Sequence, residues 1–130
     1  MSESARDACG FASRRVEKPW GWELIWAETA QYVGKLLFIR AGEALSLQYH
    51  EVKDESWLVH EGRARLELGN VGDELQVVEI GPGDALRYPP GTVHRVTALE
   101  DTLIVEVSTP HLDDVVRIDD RYGREGTSTP

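Results

Sequence analysis

The chain has 130 residues, a single cysteine and a formal net charge of −9. That length supports one domain with a real core and excludes two. The acidity argues against nucleic acid as a partner, because phosphate backbones need a basic face. It does not exclude a small anionic substrate, since screening over about 8 Å lets a few local cations govern a pocket. No apolar run reaches the roughly 18 residues of a membrane span, and the N-terminus lacks a secretory apolar region, which predicts no membrane partner. The lone Cys9 has no partner for an internal disulfide, which agrees with a reducing compartment and a cytoplasmic location.

In chain order, residues 1–14 carry no sustained period and are expected to form a mobile leader, with 15–124 as the domain and 125–130 as a frayed tail. Residues 35–40 form an apolar stretch ended by Ala41-Gly42, and 45–50 alternate Leu45, Leu47 and Tyr49 against Ser46, Gln48 and His50. Residues 57–59 end at Glu61-Gly62, and 64–68 alternate Ala64, Leu66 and Leu68 with Arg65 and Glu67. Residues 76–80 end at Gly81-Pro82-Gly83, 85–88 at Pro89-Pro90-Gly91, and 103–107 before Pro110. Turn signals recur about every ten residues with no sustained helical period, the pattern of an all-β antiparallel sandwich or barrel. Residues 111–120 alone suggest a short helix or turn, with Asp113 or Asp114 near its start.

Period two places Ser46, Gln48 and His50 on one strand face, so that Gln48 and His50 aim at a common point. Glu55 follows after a turn, close enough to return to that point, and His94 lies just beyond Pro89-Pro90-Gly91-Thr92-Val93. Two imidazoles, a carboxylate and an amide oxygen suit Zn²⁺, Fe²⁺, Mn²⁺ or a similar ion. Each residue alone also has a plain reading as a surface or hydrogen-bonded strand residue, and the spacing leaves both readings open.

Two longer motifs frame these residues. Gly42, His50, Glu55 and Gly62 resemble the first cupin motif. Gly83, Pro89, Gly91 and His94, at their fixed offsets, resemble the second, each Gly or Pro marking a turn. Lys18-Pro19-Trp20-Gly21, Leu45-Ser46-Leu47-Gln48-Tyr49-His50 and Asp113-Asp114-Val115-Val116-Arg117 through Tyr122-Gly123-Arg124 occur in order. Together they resemble the C-terminal cupin of type II phosphomannose isomerases, which is often fused to a mannose-1-phosphate guanylyltransferase. The resemblance implies a jelly-roll (double-stranded β-helix) barrel, one divalent metal ion and a sugar-phosphate substrate. It also implies a homodimer. Zinc leads among the metals, with manganese, iron, cobalt and nickel as alternatives. Three departures stand out: Val52 and Ser56 replace histidines of the family, and Ala98 replaces a common asparagine. The resemblance then implies His50, Glu55 and His94 as the metal ligands, with Gln48 able to supply a fourth through its amide oxygen. The sequence carries no Gly-rich phosphate loop, so guanylyltransferase activity is not carried over.

An isomerase of the mannose-6-phosphate/fructose-6-phosphate type needs a base, an oxyanion stabiliser and a phosphate clamp. Lys53 stands where the family carries an arginine and is expected near the rim, and Arg95 neighbours His94; these two are the candidate catalytic cations. Arg87 lies on the preceding strand, and Arg117 and Arg124 belong to a tail that folds across the mouth in this reading. Glu51 and His60 are bases by chemistry, but His60 has the parity of an outward residue. Trp57 is expected on the inner face with Glu55, as core or as a stacking surface for a sugar. Two other functions compete: an oxygen-using iron enzyme, because two histidines and one carboxylate are its ligand set, and a non-catalytic sugar-binding or purely structural sandwich.

Overall fold

In a computed structural model the described residues are 3–126. The fraying expected for the last residues falls, at 127–130, outside the described residues. A short helix, α1 (Glu3–Cys9), opens the described chain in the segment read as a leader, and eleven strands follow: β1 (Arg14–Lys18), β2 (Gly21–Glu28), β3 (Val33–Ile39), β4 (Leu47–Tyr49), β5 (Glu55–Glu61), β6 (Ala64–Asn70), β7 (Gln76–Ile80), β8 (Ala85–Tyr88), β9 (Thr92–Ala98), β10 (Thr102–Ser108) and β11 (Val116–Asp119). Of the short helix or turn expected among residues 111–120, the turn is what forms, and a strand, β11, follows it, because Val116, Arg117 and Asp119 take up the open edge of β4 as an antiparallel ladder.

Two unclosed antiparallel sheets, ordered β1-β2-β3-β10-β5-β8 and β11-β4-β9-β6-β7, form a jelly-roll sandwich. Period two decides what each strand turns inward. On β5 these are Glu55, Trp57 and Val59, and on β9 they include His94, Val96 and Ala98. His60 is exposed on the outer face, as its parity predicts. One end of the sandwich is an apolar core around Ile39, Leu66, Val96 and Ile104. The other end is not apolar: on the inner face Lys35 stands opposite Glu106, and Glu106 stands opposite Trp57.

The β5–β6 hairpin turns at Gly62, whose φ of +92° lies in the left-handed region. A Cβ there would run into the Asp101 carbonyl and Thr102. Gly62→Ala is expected to destabilise the fold by about 2–3 kcal/mol, read as a lowered midpoint in urea denaturation.

Candidate metal centre

The segment joining β4 to β5 is a tight turn between two of the predicted ligands, and its shape is imposed from the tail. The Asp114 carboxylate accepts the backbone N–H groups of Glu51 (3.0 Å), Val52 (2.7 Å) and Lys53 (2.8 Å). Burial opposes ionisation of Asp114, but these three donors outweigh it and hold its carboxyl below the usual range. The Asp114 backbone carbonyl accepts from His50 Nδ1 at 2.5 Å. His94 Nδ1 is held in the same way by the Thr92 carbonyl at 3.0 Å. The Tyr88 ring stacks on His94 at 4.2 Å and Trp57 meets it edge-on, which fixes the imidazole plane.

A neutral imidazole whose Nδ1 donates to a carbonyl carries its lone pair on Nε2, and the Nε2 atoms of both rings face the centre. His50 Nε2 lies 3.2 Å and His94 Nε2 3.1 Å from the same oxygen, Glu55 Oε1. Among the described residues, His50, Glu55 and His94 form a group whose ligand atoms all lie within 4.8 Å of one another, and all three are buried. His94 Nε2 is a buried nitrogen with no hydrogen-bond partner. Three acceptors converging without a donor between them repel one another unless a cation sits among them, so the donor set fits a divalent metal. The imidazoles and Glu55 Oε1 are the atoms that would hold it. Burial works against the Glu55 charge, and the Lys53 ammonium on its other oxygen favours it.

The remaining predicted residues divide. Gln48 shares the inner face with His94, its partner across the β4–β9 pair, and lines the cleft; its Oε1 accepts from Ser46 Oγ at 2.7 Å. Lys53 lies in the site but not at its rim, a correction. It is buried, with Nζ 2.9 Å from Glu55 Oε2 and 3.4 Å from Glu106 Oε2. Burial opposes its charge, yet Glu106 and Glu55 raise its basicity above the ordinary value, so it is committed as an internal counter-ion. Arg95 is not brought to the site. The period that turns His94 inward turns Arg95 outward, where it pairs with Glu67 (2.9 Å) and Asp119 (3.0 Å). Arg87 is likewise outside, on Asp54 at 2.7 Å, and Glu51 is exposed. Trp57 is buried, and its Nε1 donates to Glu106 Oε1 at 3.0 Å, so the packing role holds.

The structure adds four residues that sequence reasoning missed: Lys18, Glu23, Lys35 and Glu106. Their contacts continue the line from Lys53: Glu106 to Lys35 (3.9 Å), Lys35 to Glu23 (2.9 Å) and Glu23 to Lys18 (3.2 Å). Burial and then the neighbouring Glu55 raise the pKa of Glu106 above the usual carboxylate value. The available signal was a single charge inside an apolar strand, as in Val105-Glu106-Val107. One cleft joins these residues to His50, Glu55 and Gln48, and Arg117 and Arg124 of the tail line it as well.

Fold and site together describe a small jelly-roll protein with a two-histidine, one-carboxylate centre at the bottom of a charged cleft. Residues 36–110 match the cupin domain profile, and the chain belongs to the cupin family. Mannose-1-phosphate guanylyltransferase ManC of Salmonella typhimurium is 34% identical over 119 residues, covering 85% of this chain and 23% of that protein. Xanthan biosynthesis protein XanB of Xanthomonas campestris pv. campestris is 31% identical over 116 residues, covering 85% and 24%. The chain thus spans about a quarter of the length of these relatives. Among solved structures, KdgF from Halomonas sp. is 26% identical with a TM-score of 0.64, covering 77% of this chain and 86% of that one. Lactobacillus farciminis oxalate decarboxylase, 16% identical with a TM-score of 0.69 over 82% of this chain and 33% of that one, shares the fold. No helix among the described residues is long and apolar enough to cross a membrane.

Because Asp114 shapes the ligand-bearing turn and orients His50, Asp114→Ala is expected to weaken metal binding by about 10–100-fold. Asp114→Asn, which keeps an acceptor oxygen, should lie between. Competition of each purified variant with a chromophoric zinc chelator measures both.

Proposed function

We propose that the protein is a metal-dependent aldose–ketose isomerase acting on a hexose phosphate of the mannose-6-phosphate/fructose-6-phosphate type. The observation that carries this reading is the joining of a His50–Glu55–His94 centre and a lysine- and arginine-lined wall in one cleft. The motif resemblance to type II phosphomannose isomerases supports it, as does similarity to relatives named for mannose-1-phosphate chemistry. Guanylyltransferase activity is not part of the proposal. Zinc is the ion we assign first, with manganese, iron, cobalt and nickel as alternatives. Gln48 is the proposed fourth ligand, its amide oxygen turning from Ser46 to the centre. A bound divalent ion supplies Lewis-acid stabilisation of the negative charge that develops on the sugar oxygens.

The chain's own residues supply the rest. Glu106 is the carboxyl we assign to proton transfer, replacing the exposed Glu51 and His60. Its Oε2 takes the proton from C2 of the aldose and delivers it to C1 of the enediol, while the proton on O2 moves to O1. Lys53 and Lys35 hold Glu106 in place on either side, and burial with the neighbouring Glu55 raises its pKa, which strengthens it as a base. The buried Trp57 donates to its other oxygen and keeps Oε2 as the working atom.

Interconversion of mannose 6-phosphate and fructose 6-phosphate, followed by a coupled assay on protein loaded with each ion, tests the reading. Turnover should fall at least 100-fold in His94→Ala together with metal content, and in Glu106→Gln with metal content retained. Absence of turnover with every ion would sink it. The two-histidine, one-carboxylate set also favours a second reading, an oxygen-using iron enzyme, which oxygen uptake by iron-loaded protein would reveal.

A cytoplasmic location and a homodimer complete the proposal. The outer face of the six-stranded sheet carries exposed Trp26, Leu58 and Val107 beside half-buried Leu36 and Val105. Leu36, Val105 and Leu58 stand in one cross-strand row, a flat apolar surface able to pair with its own copy. Light scattering should give twice the chain mass, reverting to one in Val107→Glu.

A further inference from the structure

Two polar residues of the cleft are held by each other rather than by the charge ladder. Ser46, immediately before β4, and Gln48, within it, lie two residues apart and share the inner face with His50. All three line the cleft together with Glu55. Ser46 is buried at 1% exposure, and its Oγ donates to Gln48 Oε1 at 2.7 Å, the length of a well-formed O–H···O bond. At that burial, bulk water does not compete for the hydroxyl.

Gln48 stands beside both imidazoles. It is the cross-strand partner of His94 on β9, and it precedes His50 by two residues on its own strand. Directly opposed residues on one face bring their Cβ atoms to about 5 Å, which puts the amide next to the centre. Its oxygen therefore has two claimants: the Ser46 hydroxyl, and a cation held by His50, Glu55 and His94. An oxygen that turns to the cation leaves a buried donor without its acceptor, which is unfavourable. Ligation by Gln48 is weakened by that amount. The other three ligands face no such competition, because each imidazole is tied through Nδ1 and Glu55 is tied through its second oxygen.

We propose that Ser46 and Gln48 form an exchange pair: Gln48 covers one coordination position when the cleft is empty, and Ser46 receives its oxygen when an oxygen ligand enters. Ser46 is thus a positioning residue that makes the fourth ligand replaceable while His50, Glu55 and His94 stay fixed. With Gln48 on Ser46, three protein ligands remain, which leaves room for a ligand presenting two neighbouring oxygens, such as a hydroxy-carbonyl compound. The proposal rests on Gln48 as the fourth ligand, and it does not require the isomerase reading.

Cobalt-loaded full chain tests the pair. Competition with a chromophoric chelator gives the Co²⁺ affinity, visible absorption reports the coordination, and titration with acetohydroxamate, an oxygen chelator, reads the exchange. Ser46→Ala is expected to bind Co²⁺ about tenfold more tightly and acetohydroxamate about tenfold more weakly, because Gln48 loses the group that receives it. Gln48→Ala should bind Co²⁺ more weakly than wild type and acetohydroxamate no more weakly. Adding Ser46→Ala to Gln48→Ala should then move neither affinity beyond about twofold. Unchanged affinities in Ser46→Ala, a shift of both in the same direction, or a shift that persists without Gln48 overturns the pair and leaves Gln48 standing as a ligand. Gln48→Ala that matches wild type in Co²⁺ affinity and absorption removes Gln48 as a ligand, and the pair with it. None of these readouts uses turnover, so the isomerase reading stands or falls on its own assay.

Discussion

Glu55 is the charge on which the rest of the cleft depends. It is buried, one oxygen facing two imidazole nitrogens and the other accepting from Lys53. A carboxylate taken out of water costs several kcal/mol unless opposite charge and hydrogen bonds replace its hydration. Lys53 supplies part of that replacement, and a cation held between the imidazoles would supply the remainder. Lys53 is itself buried and needs a second carboxylate, which is Glu106. Glu106 needs Lys35, Lys35 needs Glu23, and Glu23 takes Lys18 as well. The ladder follows from one requirement passed from ion to ion across the inner face of the sheet.

Such a ladder is a poor device for stability. Apolar side chains of similar volume in its place would leave the sandwich as stable or more so, whereas removing one member strands its neighbour as an uncompensated buried charge. Its retention on an inner face that is apolar at the opposite end is therefore better explained by the cleft than by the core. The two sheets contribute unequally. The six-stranded sheet supplies the alternating lysines and glutamates, and the five-stranded sheet supplies His94, Gln48 and Arg117. The cleft is the gap between a wall of fixed charge on one sheet and the inner-face row of His94, Gln48 and Arg117 on the other.

The fold was legible because its punctuation is local. Gly62, Gly83 and Gly91 sit at turns where φ is positive, and these mark strand ends without knowledge of the partner strand. His50, Glu55 and His94 were legible for the same reason, being tied by spacing to those turns. What failed needed tertiary information. Lys53 lies close to a turn in sequence and so reads as a rim residue, but Asp114, 61 residues further on, draws that turn inward. Arg95 was attractive through adjacency to His94, and adjacency on a strand puts it on the opposite face. Glu106 and Lys35 look like solvent-facing residues of an apolar strand until the register pairs them. The segment of β11 carries the weakest strand signal, because its ladder exists only where the edge of β4 is open to receive it.

The tail is where these separate requirements meet. Residues 114–124 do three things at once. Asp114 shapes the turn that carries His50 and Lys53, Arg117 enters the row that contains Gln48 and His94, and Arg124 closes the cleft from behind, anchored by Asp120. Tyr122 adds a hydrogen bond to Glu43, and Arg121 one to the Gly42 carbonyl at 2.6 Å, so the segment is fastened at both ends of β4. The turn that carries His50 and the arginine side of the cleft hang on one short segment and are positioned together. Displacing the tail would loosen the His50 imidazole and remove the arginines in a single step. The cleft is therefore assembled by the docking of β11, and its two ends share one structural cause.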